Sequence, residues 1–440
     1  MRRVLLLLCG TIGPLAAAPS FHKDVQPLLQ KHCQGCHQPA SKAANLDVTS
    51  YEAFAKGGQR GPAFVAGQPE QSLTIRYLLG ETKPRMPLAA AALPEAEIAL
   101  FREWIRAGAK DDSPVEVSET KATVYQQPPV ITALQFSPDG QTLAVSGNRE
   151  VLLHTADGKK LLHRLAGRAE RILSVAFSAD GKLLIAGGGT PAQFGEVQVW
   201  DVAAAKLLRS ARLTNDTVFG ASLAPDASKI AVGCADNTVH VFETATGKEL
   251  YKIGNHETWV LATVFGVDSK RFVSASGDRA AKLIDANSGA FLENVNLLRG
   301  ELNAIARHPK KDVVVLGGAE RYPYIYLMDR PRNMKIADDT TLVRRLERQD
   351  GAITALGWSP DGARIAVASQ SAAVNLYDPE SGEKKASCTG HGAGIYTVAF
   401  SPDSTKLATG GFDGKVRVYA TGDCKLLYSF VPVPLSAGAQ

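Results

Sequence analysis

The chain is poor in the residues that most often build metal and redox sites, because its 440 residues include only six cysteines, nine histidines and four methionines. Cys33 and Cys36 are closely spaced, but a tetrahedral zinc site there would need two further ligands at similar spacing, and no second Cys pair exists. Cys234, Cys388 and Cys424 stand apart and are odd in number, so they cannot all pair within the chain. We therefore predict no disulfide.

The sequence also lacks a strong charge of either sign and lacks any long apolar run after its first 18 residues. The formal net charge of +5 falls to +3 when Arg2 and Arg3 are removed with a leader peptide. Such a small charge does not favour nucleic acid or an anionic membrane surface as a partner. No later segment approaches the length of a membrane span, so we expect neither nucleic acid binding nor an integral membrane segment in the mature protein.

The first residues have the pattern of a secretory signal peptide. A positive start is followed by an apolar run and then by three alanines that end at Ala18. A membrane helix is excluded because the run is short and contains Gly10, Gly13 and Pro14. We predict a signal peptide over residues 1–18 and a periplasmic or otherwise extracytoplasmic mature protein.

Against this background, the run Cys33-Gln34-Gly35-Cys36-His37 is the most informative feature of the chain. Two thiols three residues apart, followed directly by a histidine, are the attachment pattern of c-type haem. The thiols add to the haem vinyl groups, and the imidazole binds one axial position of the iron. A redox dithiol would normally lie in a βαβ context, which this region lacks. We predict one covalently bound haem c at Cys33 and Cys36, with His37 as an iron ligand.

Two helices are predicted in a first domain over residues 19–112. Apolar residues of the segment 21–32 share one helical stripe and lead directly into the Cys pair. The segment 93–109 starts with Pro94 and carries a second apolar face. A helix before the haem motif and a helix at the end of the domain are the arrangement expected for a small monohaem cytochrome.

The sixth iron ligand is predicted to be Met86. It lies in the proline-flanked loop Lys83-Pro84-Arg85-Met86-Pro87, where a methionine is a poor filler of a hydrophobic core. The histidines His22 and His32 are rivals, but we predict both to be surface residues. The haem site is therefore expected to have one histidine and one thioether ligand.

These residues resemble the planctomycete-type cytochrome c domain. The resemblance starts at Phe21-x-x-Asp24-Val25-x-Pro27-Leu28-Leu29 and includes the haem motif, Lys56-Gly57-Gly58, Gly67-x-Pro69-x-x-Ser72-Leu73, Arg85-Met86-Pro87 and Trp104-Ile105-x-x-Gly108-Ala109. It implies that Cys33 and Cys36 carry the haem, that His37 is the proximal ligand and that Met86 is the distal ligand. Leu88 departs from the family, in which a second proline is common at that position.

After a polar linker over residues 113–120, the sequence repeats about every forty residues. A turn resembling Ser-Pro-Asp-Gly ends one strand of each unit. These turns follow Phe136, Phe177, Leu223, Phe265, Arg307, Trp358 and Phe400. Pairs such as Trp200-Asp201 end the third strand of several units, and the region resembles the WD-repeat family. We predict an all-β, seven-bladed propeller over residues 121–431, followed by a tail over 432–440.

Polar residues of the repeats are assigned structural roles. The aspartates and histidines concerned are Asp236, Asp278, Asp413, His256 and His391. WD repeats use such residues to hold each blade together by hydrogen bonds. We expect no catalytic set, phosphate loop or metal cluster in the propeller. The outer strand of the last blade is predicted to come either from Leu426 to Phe430 or from Thr123 to Gln126.

The sequence thus favours an electron-transfer protein over an enzyme. One haem would carry single electrons, and the propeller would bind a redox partner protein. Two alternatives stay open: a propeller-containing redox enzyme with a second cofactor, as in nitrite reductases that join the two domains, and a haem-based sensor in which Met86 yields its place to a gas.

Overall fold

The computed structural model describes residues 18–38, 41, 43–111, 123–328 and 338–436. The chain divides into two compact units, residues 1–116 and 117–440. Nearly all of the predicted signal peptide and the whole predicted linker lie outside the described residues. Among the helices of the described ranges, none combines the length and apolar character needed to cross a membrane.

The first unit is helical. A π-helical segment, Phe21–Val25, continues into α1, Gln26–His32, and together they form the helix predicted before the haem motif. The remaining helices are α2 (Tyr51–Lys56), α3 (Leu73–Leu79) and α4 (Glu95–Arg106), with 3-10 turns at Ala43–Asn45 and Pro69–Gln71. Helix α4 is shorter than the predicted 93–109, because Pro94 is its N-cap and the chain leaves the helix after Arg106.

Aromatic side chains form the centre of the helical core. Phe21 and Trp104 are almost fully buried, and their ring centroids lie 5.4 Å apart. Tyr51 packs edge-on against Phe21 at 5.1 Å, and its hydroxyl donates to the carbonyl oxygen of Ala109 at 2.7 Å. Because each polar aromatic atom has a partner, these large rings are buried without an unpaired donor. The core thereby joins the start of the domain to its last helix.

The second unit consists of β-strands that pair antiparallel in sequence order. The first repeat contains β1 (Leu134–Phe136), β2 (Thr142–Ser146), β3 (Asn148–Thr155) and the start of β4 (Leu161–Phe177). The second contains the rest of β4, β5 (Leu183–Thr190), β6 (Phe194–Asp201) and β7 (Lys206–Thr214). Because β4 is continuous, these two repeats form one seven-stranded sheet.

Five further sheets have four strands each. The third repeat comprises β8 (Val218–Leu223), β9 (Lys229–Cys234), β10 (Val239–Glu243) and β11 (Glu249–Ile253). The fourth comprises β12 (Val260–Phe265), β13 (Arg271–Ser276), β14 (Ala281–Asp285) and β15 (Phe291–Asn294). The fifth comprises β16 (Leu302–Arg307), β17 (Val313–Gly318), β18 (Tyr324–Leu327) and β19 (Leu342–Arg345). The sixth comprises β20 (Ile353–Trp358), β21 (Ile365–Ser369), β22 (Val374–Tyr377) and β23 (Lys384–Cys388). The seventh comprises β24 (Ile395–Phe400), β25 (Lys406–Gly411), β26 (Val416–Ala420) and β27 (Leu426–Phe430).

The repeated Ser-Pro-Asp-Gly turn is held by its own side chains. In the first repeat the Ser137 hydroxyl donates to the Asp139 carboxylate at 2.5 Å and accepts from the backbone N–H of Thr142 at 2.9 Å. Ser401 and Asp403 repeat this pattern at 2.5 Å in the seventh repeat. Such side-chain bonds to nearby backbone groups fix a tight turn between the first two strands of these repeats.

The two ends of the β unit are joined to each other. Strand β1 contacts β24 of the last repeat, and the N–H of Leu134 donates to the Thr397 hydroxyl at 3.1 Å. Strand β27 pairs with β26, so the outer strand of the last sheet is the segment Leu426–Phe430. Of the two segments predicted to supply that strand, the structure therefore uses Leu426 to Phe430 and not Thr123 to Gln126.

The described residues that follow β27 pack against the first repeat. Leu435 forms an isolated parallel bridge with Tyr125, and Val433 is 5% exposed beside Leu152. The carbonyl oxygen of Pro432 accepts a hydrogen bond from His154 Nε2 at 2.8 Å. These contacts fasten residues from both ends of the β unit to its first repeat.

The prediction that the chain has no disulfide is wrong. Cys388, the last residue of β23, is bonded to Cys424 in the turn before β27. Their Cα atoms lie 4.7 Å apart although the residues are 36 positions apart in sequence. An odd number of cysteines leaves one over but does not prevent the other two from pairing, and that remaining residue is the buried Cys234.

The hydrogen bonds predicted for the repeat histidines are present. His256 contacts Asp278 through Nδ1 at 2.8 Å and Ser274 through Nε2 at 2.7 Å. His391 contacts the Thr409 hydroxyl through Nε2 at 2.7 Å. Both histidines are buried and link the approach to a first strand with the second strand of the same sheet.

We expect the Val433→Ala variant to lower the free energy of unfolding of the β unit by about 1–2 kcal/mol, because it removes buried methyl groups from the closing contact. Urea unfolding followed by intrinsic fluorescence would measure this. Val124→Ala is the matched control, since Val124 is 77% exposed. Equal unfolding midpoints for the two variants would show that the closing segment does not stabilise the unit.

The stability of the β unit should also depend on pH through His391. Burial, followed by the nearby Arg417 charge, lowers the pKa of His391 to about 4. The unfolded chain therefore takes up this proton at a higher pH than the folded one, and the stabilisation is complete above about 6.5 and is lost as pH falls toward 4.

We expect His391→Gln to reduce the loss of unfolding free energy between pH 7 and pH 4 by on the order of 1–2 kcal/mol. His163→Gln, at an exposed histidine, serves as the control. A pH profile of His391→Gln that is parallel to that of the wild type would contradict the assignment.

Candidate haem site

The Cys33 to His37 segment is a compact turn at the end of α1. The backbone N–H groups of Cys33 and Gln34 both donate to the carbonyl oxygen of Leu29 at 2.9 Å. The N–H of His37 then donates to the carbonyl oxygen of Cys33 at 3.1 Å. Because Leu29 is buried in the helical core, the turn is fixed to that core.

The two cysteines of the turn have different environments. Cys33 is partly buried and packs against the helical core, whereas Cys36 is exposed, and neither is in a disulfide. Burial raises the pKa of the Cys33 thiol to about 11. Reactive redox thiols have a lowered pKa, so this environment does not favour a redox dithiol.

The His37 imidazole is oriented by a backbone carbonyl. Its Nδ1 lies 2.9 Å from the carbonyl oxygen of Ala43. A carbonyl only accepts hydrogen bonds, so Nδ1 carries the proton and Nε2 keeps its lone pair. Ala43 is itself held by its N–H, which donates to the carbonyl oxygen of Cys36 at 3.0 Å. A histidine oriented in this way is ready to bind a metal through Nε2.

Met86 lies outside the hydrophobic core in the loop that follows α3. Its backbone N–H donates to the carbonyl oxygen of Tyr77 at 3.0 Å. Arg60 holds the other side of the loop: its guanidinium donates to the carbonyl oxygen of Lys83 at 3.1 Å and lies over the Tyr77 ring at 5.7 Å. The Met86 side chain is half-buried and is not part of the core cluster, so it is not a core filler.

The rival histidines are engaged elsewhere. His32 Nε2 lies 3.0 Å from a carboxylate oxygen of Glu97 on α4. His22 Nδ1 lies 2.9 Å from the side-chain oxygen of Gln26, one turn further along the first helix. Each of these two histidines therefore contacts another side chain of the helical unit.

The turn after α2 supports the methionine loop through Arg60. Gly57 has φ 75° and ψ −158°, a conformation open essentially to glycine alone. A Cβ atom at Gly57 would lie 2.1 Å from the carbonyl oxygen of Gly61. Gly58 and Gly61 exchange backbone hydrogen bonds at 3.1 Å, and this turn contains Arg60.

Comparison with known protein families agrees with this division. The model for planctomycete cytochrome C matches residues 33–87, which include the whole haem motif and Met86. The chain joins a planctomycete cytochrome C domain to WD40 repeats. The WD domain model matches residues 159–190 and 382–420, and the WD40 domain of anaphase-promoting complex subunit 4 matches residues 308–393.

Similar curated proteins share the repeats. Transcription factor unc-37 of Caenorhabditis elegans is 28% identical over 45% of this chain and 31% of its own length. Periodic tryptophan protein 2 of Arabidopsis thaliana is 22% identical over 61% of this chain and 29% of its own. Eukaryotic translation initiation factor 3 subunit I of Aspergillus oryzae is 28% identical over 44% of this chain and 47% of its own length. The chain therefore spans less than half the length of these relatives.

One group of side chains in the third repeat combines residue types that can bind a metal ion. Cys234, Asp236 and His240 bring potential ligand atoms within 4.8 Å of one another. From the sequence, Asp236 was expected to have a structural role, and Cys234 was given no functional role. The signal that could have found the group is the spacing Cys-x-Asp-x3-His across a strand, a short turn and the next strand.

We expect Gly57→Ala to destabilise the helical unit by at least about 3 kcal/mol, because both the backbone conformation and the overlap with Gly61 oppose a side chain. Gly67→Ala is the control: Gly67 also has a positive φ, of 77°, but its Cβ would meet nothing within 4 Å. It should cost only about 1 kcal/mol. Urea unfolding followed by the helical circular dichroism signal would compare them, and equal losses would refute the role of the Gly57 turn.

Proposed function

We propose that this protein is an exported cytochrome that transfers single electrons through one haem c attached at Cys33 and Cys36. In this proposal His37 Nε2 and the Met86 thioether are the axial ligands. The WD40 region is a docking module for a redox partner protein. The observation that carries the proposal is the hydrogen bond from His37 Nδ1 to Ala43, which leaves Nε2 as the metal-binding nitrogen.

The donor set fits a haem of this kind. Cys36 is exposed, Cys33 is partly buried and neither is in a disulfide, so both sulfurs are free to form thioethers at the end of α1. Met86 offers a neutral sulfur from a loop fixed on both sides by Tyr77 and Arg60. When bound, the haem supplies an iron that accepts and releases one electron. A thioether ligand favours the reduced state, so these residues would set a raised potential.

We further propose that the seven repeats are the blades of a closed seven-bladed propeller. The first strands of successive sheets contact one another, and β1 contacts β24 of the last repeat. The bridge between Tyr125 and Leu435 adds a second link between the two ends. Propellers with WD repeats offer rigid surfaces for other proteins, and the relatives named above share these repeats. We propose that this surface binds a redox partner protein, because the same chain contains a cytochrome domain.

Export is supported by the cysteines of the repeats. The disulfide between Cys388 and Cys424 supports a location in an oxidising compartment, because disulfides are rare in the reducing cytosol. A signal peptide over residues 1–18 and attachment of haem outside the cytoplasm are consistent with that location.

An optical spectrum of the purified haem protein tests the proposal against its alternatives. A six-coordinate c-type spectrum with a methionine–iron charge-transfer band is expected. Bands of a second chromophore would favour a propeller-containing redox enzyme. A high-spin ferrous form would favour a gas sensor in which Met86 is displaced.

Met86→Ala should abolish the charge-transfer band and lower the midpoint potential on the order of 0.1 V or more, within the roughly 0.8 V range set by axial ligands. Leu88→Ala is the matched control, since Leu88 lies in the same loop and is 66% exposed. Spectroscopy and redox titration of both variants would measure this. If the band survives in Met86→Ala, another residue is the ligand.

Replacing both Cys33 and Cys36 by alanine should leave no haem on the chain after denaturing electrophoresis, whereas the wild type should stain for covalent haem. This pair of samples separates covalent attachment from simple haem binding. Covalent haem on the double variant would refute the attachment residues.

A further inference from the structure

A thiol, a carboxylate and an imidazole meet at the hairpin between β9 and β10. Cys234 is the last residue of β9, Asp236 lies in the turn, and His240 is the second residue of β10. Their potential ligand atoms lie within 4.8 Å of one another. The strand register is the cause: His240 is opposite Val232, so Cys234 is its diagonal neighbour on the same face of the sheet.

His240 has a buried nitrogen without a partner. The residue is 3% exposed, and its Nδ1 lies 3.0 Å from a carboxylate oxygen of Glu249. An ionised carboxylate only accepts, so Nδ1 carries the proton and Nε2 has a free lone pair. Nε2 is buried and makes no hydrogen bond. A buried polar atom without a partner is costly, and a carboxylate behind a histidine is the usual support of a metal ligand.

Two of the structural histidines, His256 and His391, do not share this feature. His256 has Asp278 on one nitrogen and the Ser274 hydroxyl at 2.7 Å on the other. His391 Nε2 is paired with the Thr409 hydroxyl at 2.7 Å. No hydroxyl takes this place at His240 Nε2. His240 therefore does not repeat the hydrogen-bonding role of those residues.

The charges around the group suit a divalent cation. Asp236 and Glu249 are acidic, and Lys252 Nζ lies 3.0 Å from the Asp236 carboxylate. The Lys252 side chain is 47% exposed, so its ammonium can move into solvent. A cation arriving at Asp236 would take the place of that ammonium.

We propose that Cys234, Asp236 and His240 bind a zinc-type divalent cation. The ligands are the Cys234 sulfur, an Asp236 oxygen and His240 Nε2, with water in the fourth position and Glu249 orienting the imidazole. Sulfur, nitrogen and carboxylate oxygen are the donors that zinc takes, at about 2.0–2.3 Å. On binding, the Cys234 thiol releases its proton to solvent and becomes a thiolate. The site is separate from the haem motif and does not depend on the proposed electron transfer.

The test uses the full chain with its haem, stripped of loose metal by a chelator and then equilibrated with zinc chloride. Elemental analysis should find one zinc per chain. Cys234→Ser and His240→Gln should each weaken zinc binding by at least about 100-fold, because each removes a ligand. Glu249→Gln should weaken it by about tenfold through the orientation of the imidazole.

Lys252→Met distinguishes a metal site from a merely structural cluster. It should tighten zinc binding by several-fold, because it removes the ammonium that competes for Asp236. Lys248→Met is the matched control, since it makes the same charge change at an exposed position before β11. A structural ion pair would give no gain in zinc affinity. Both lysine variants retain Cys234 and His240 and so do not disturb the buried side chains.

Two results would overturn the proposal. One is a wild-type chain that binds no zinc at micromolar concentration. The other is zinc bound equally well by the wild type, Cys234→Ser and His240→Gln, which would assign the metal to other residues.

Discussion

The hydrogen bond between His37 Nδ1 and the carbonyl oxygen of Ala43 is the contact on which the candidate haem site depends. In this hydrogen bond Nδ1 is paired with the protein backbone, and Nε2 is left to bind a metal. Ala43 in turn donates its N–H to Cys36, so the histidine and the group that orients it belong to one short closed loop. The loop rests on Leu29 and hence on the buried aromatic core. Orientation of the proposed iron ligand is therefore a property of the whole helical unit.

Much of this arrangement could be predicted from the sequence, because it follows from local patterns. The haem motif lies where the first helix ends, as the apolar stripe before it indicates. The outer strand of the last repeat is Leu426–Phe430, one of the two segments predicted for it. The Ser-Pro-Asp-Gly turns are stabilised by their own residues: in the first repeat, Ser137 forms hydrogen bonds with Asp139 and with the adjacent backbone. Short-range hydrogen bonding and side-chain periodicity are sufficient for each of these features.

The features that the sequence did not reveal depend on contacts between distant positions. Cys388 and Cys424 meet only because β23 and the turn before β27 lie side by side. Val433 is buried because the end of the β unit packs against its beginning. Ala43 has no chemical character that marks it as a partner for His37. Such contacts follow from register and closure, which no single stretch of residues specifies.

The cysteines show how position decides the chemistry of one residue type. Cys33 and Cys36 are three residues apart at a helix end, where two sulfurs can bind one ligand, and they are not joined to each other. Cys388 and Cys424 are held close enough to be joined and so link the sixth repeat to the seventh covalently. Cys234 is buried beside an aspartate and a histidine with a free nitrogen, away from any other thiol. Metal binding is the chemistry that we propose for it, and the Lys252 ammonium is the cation that such a metal would displace.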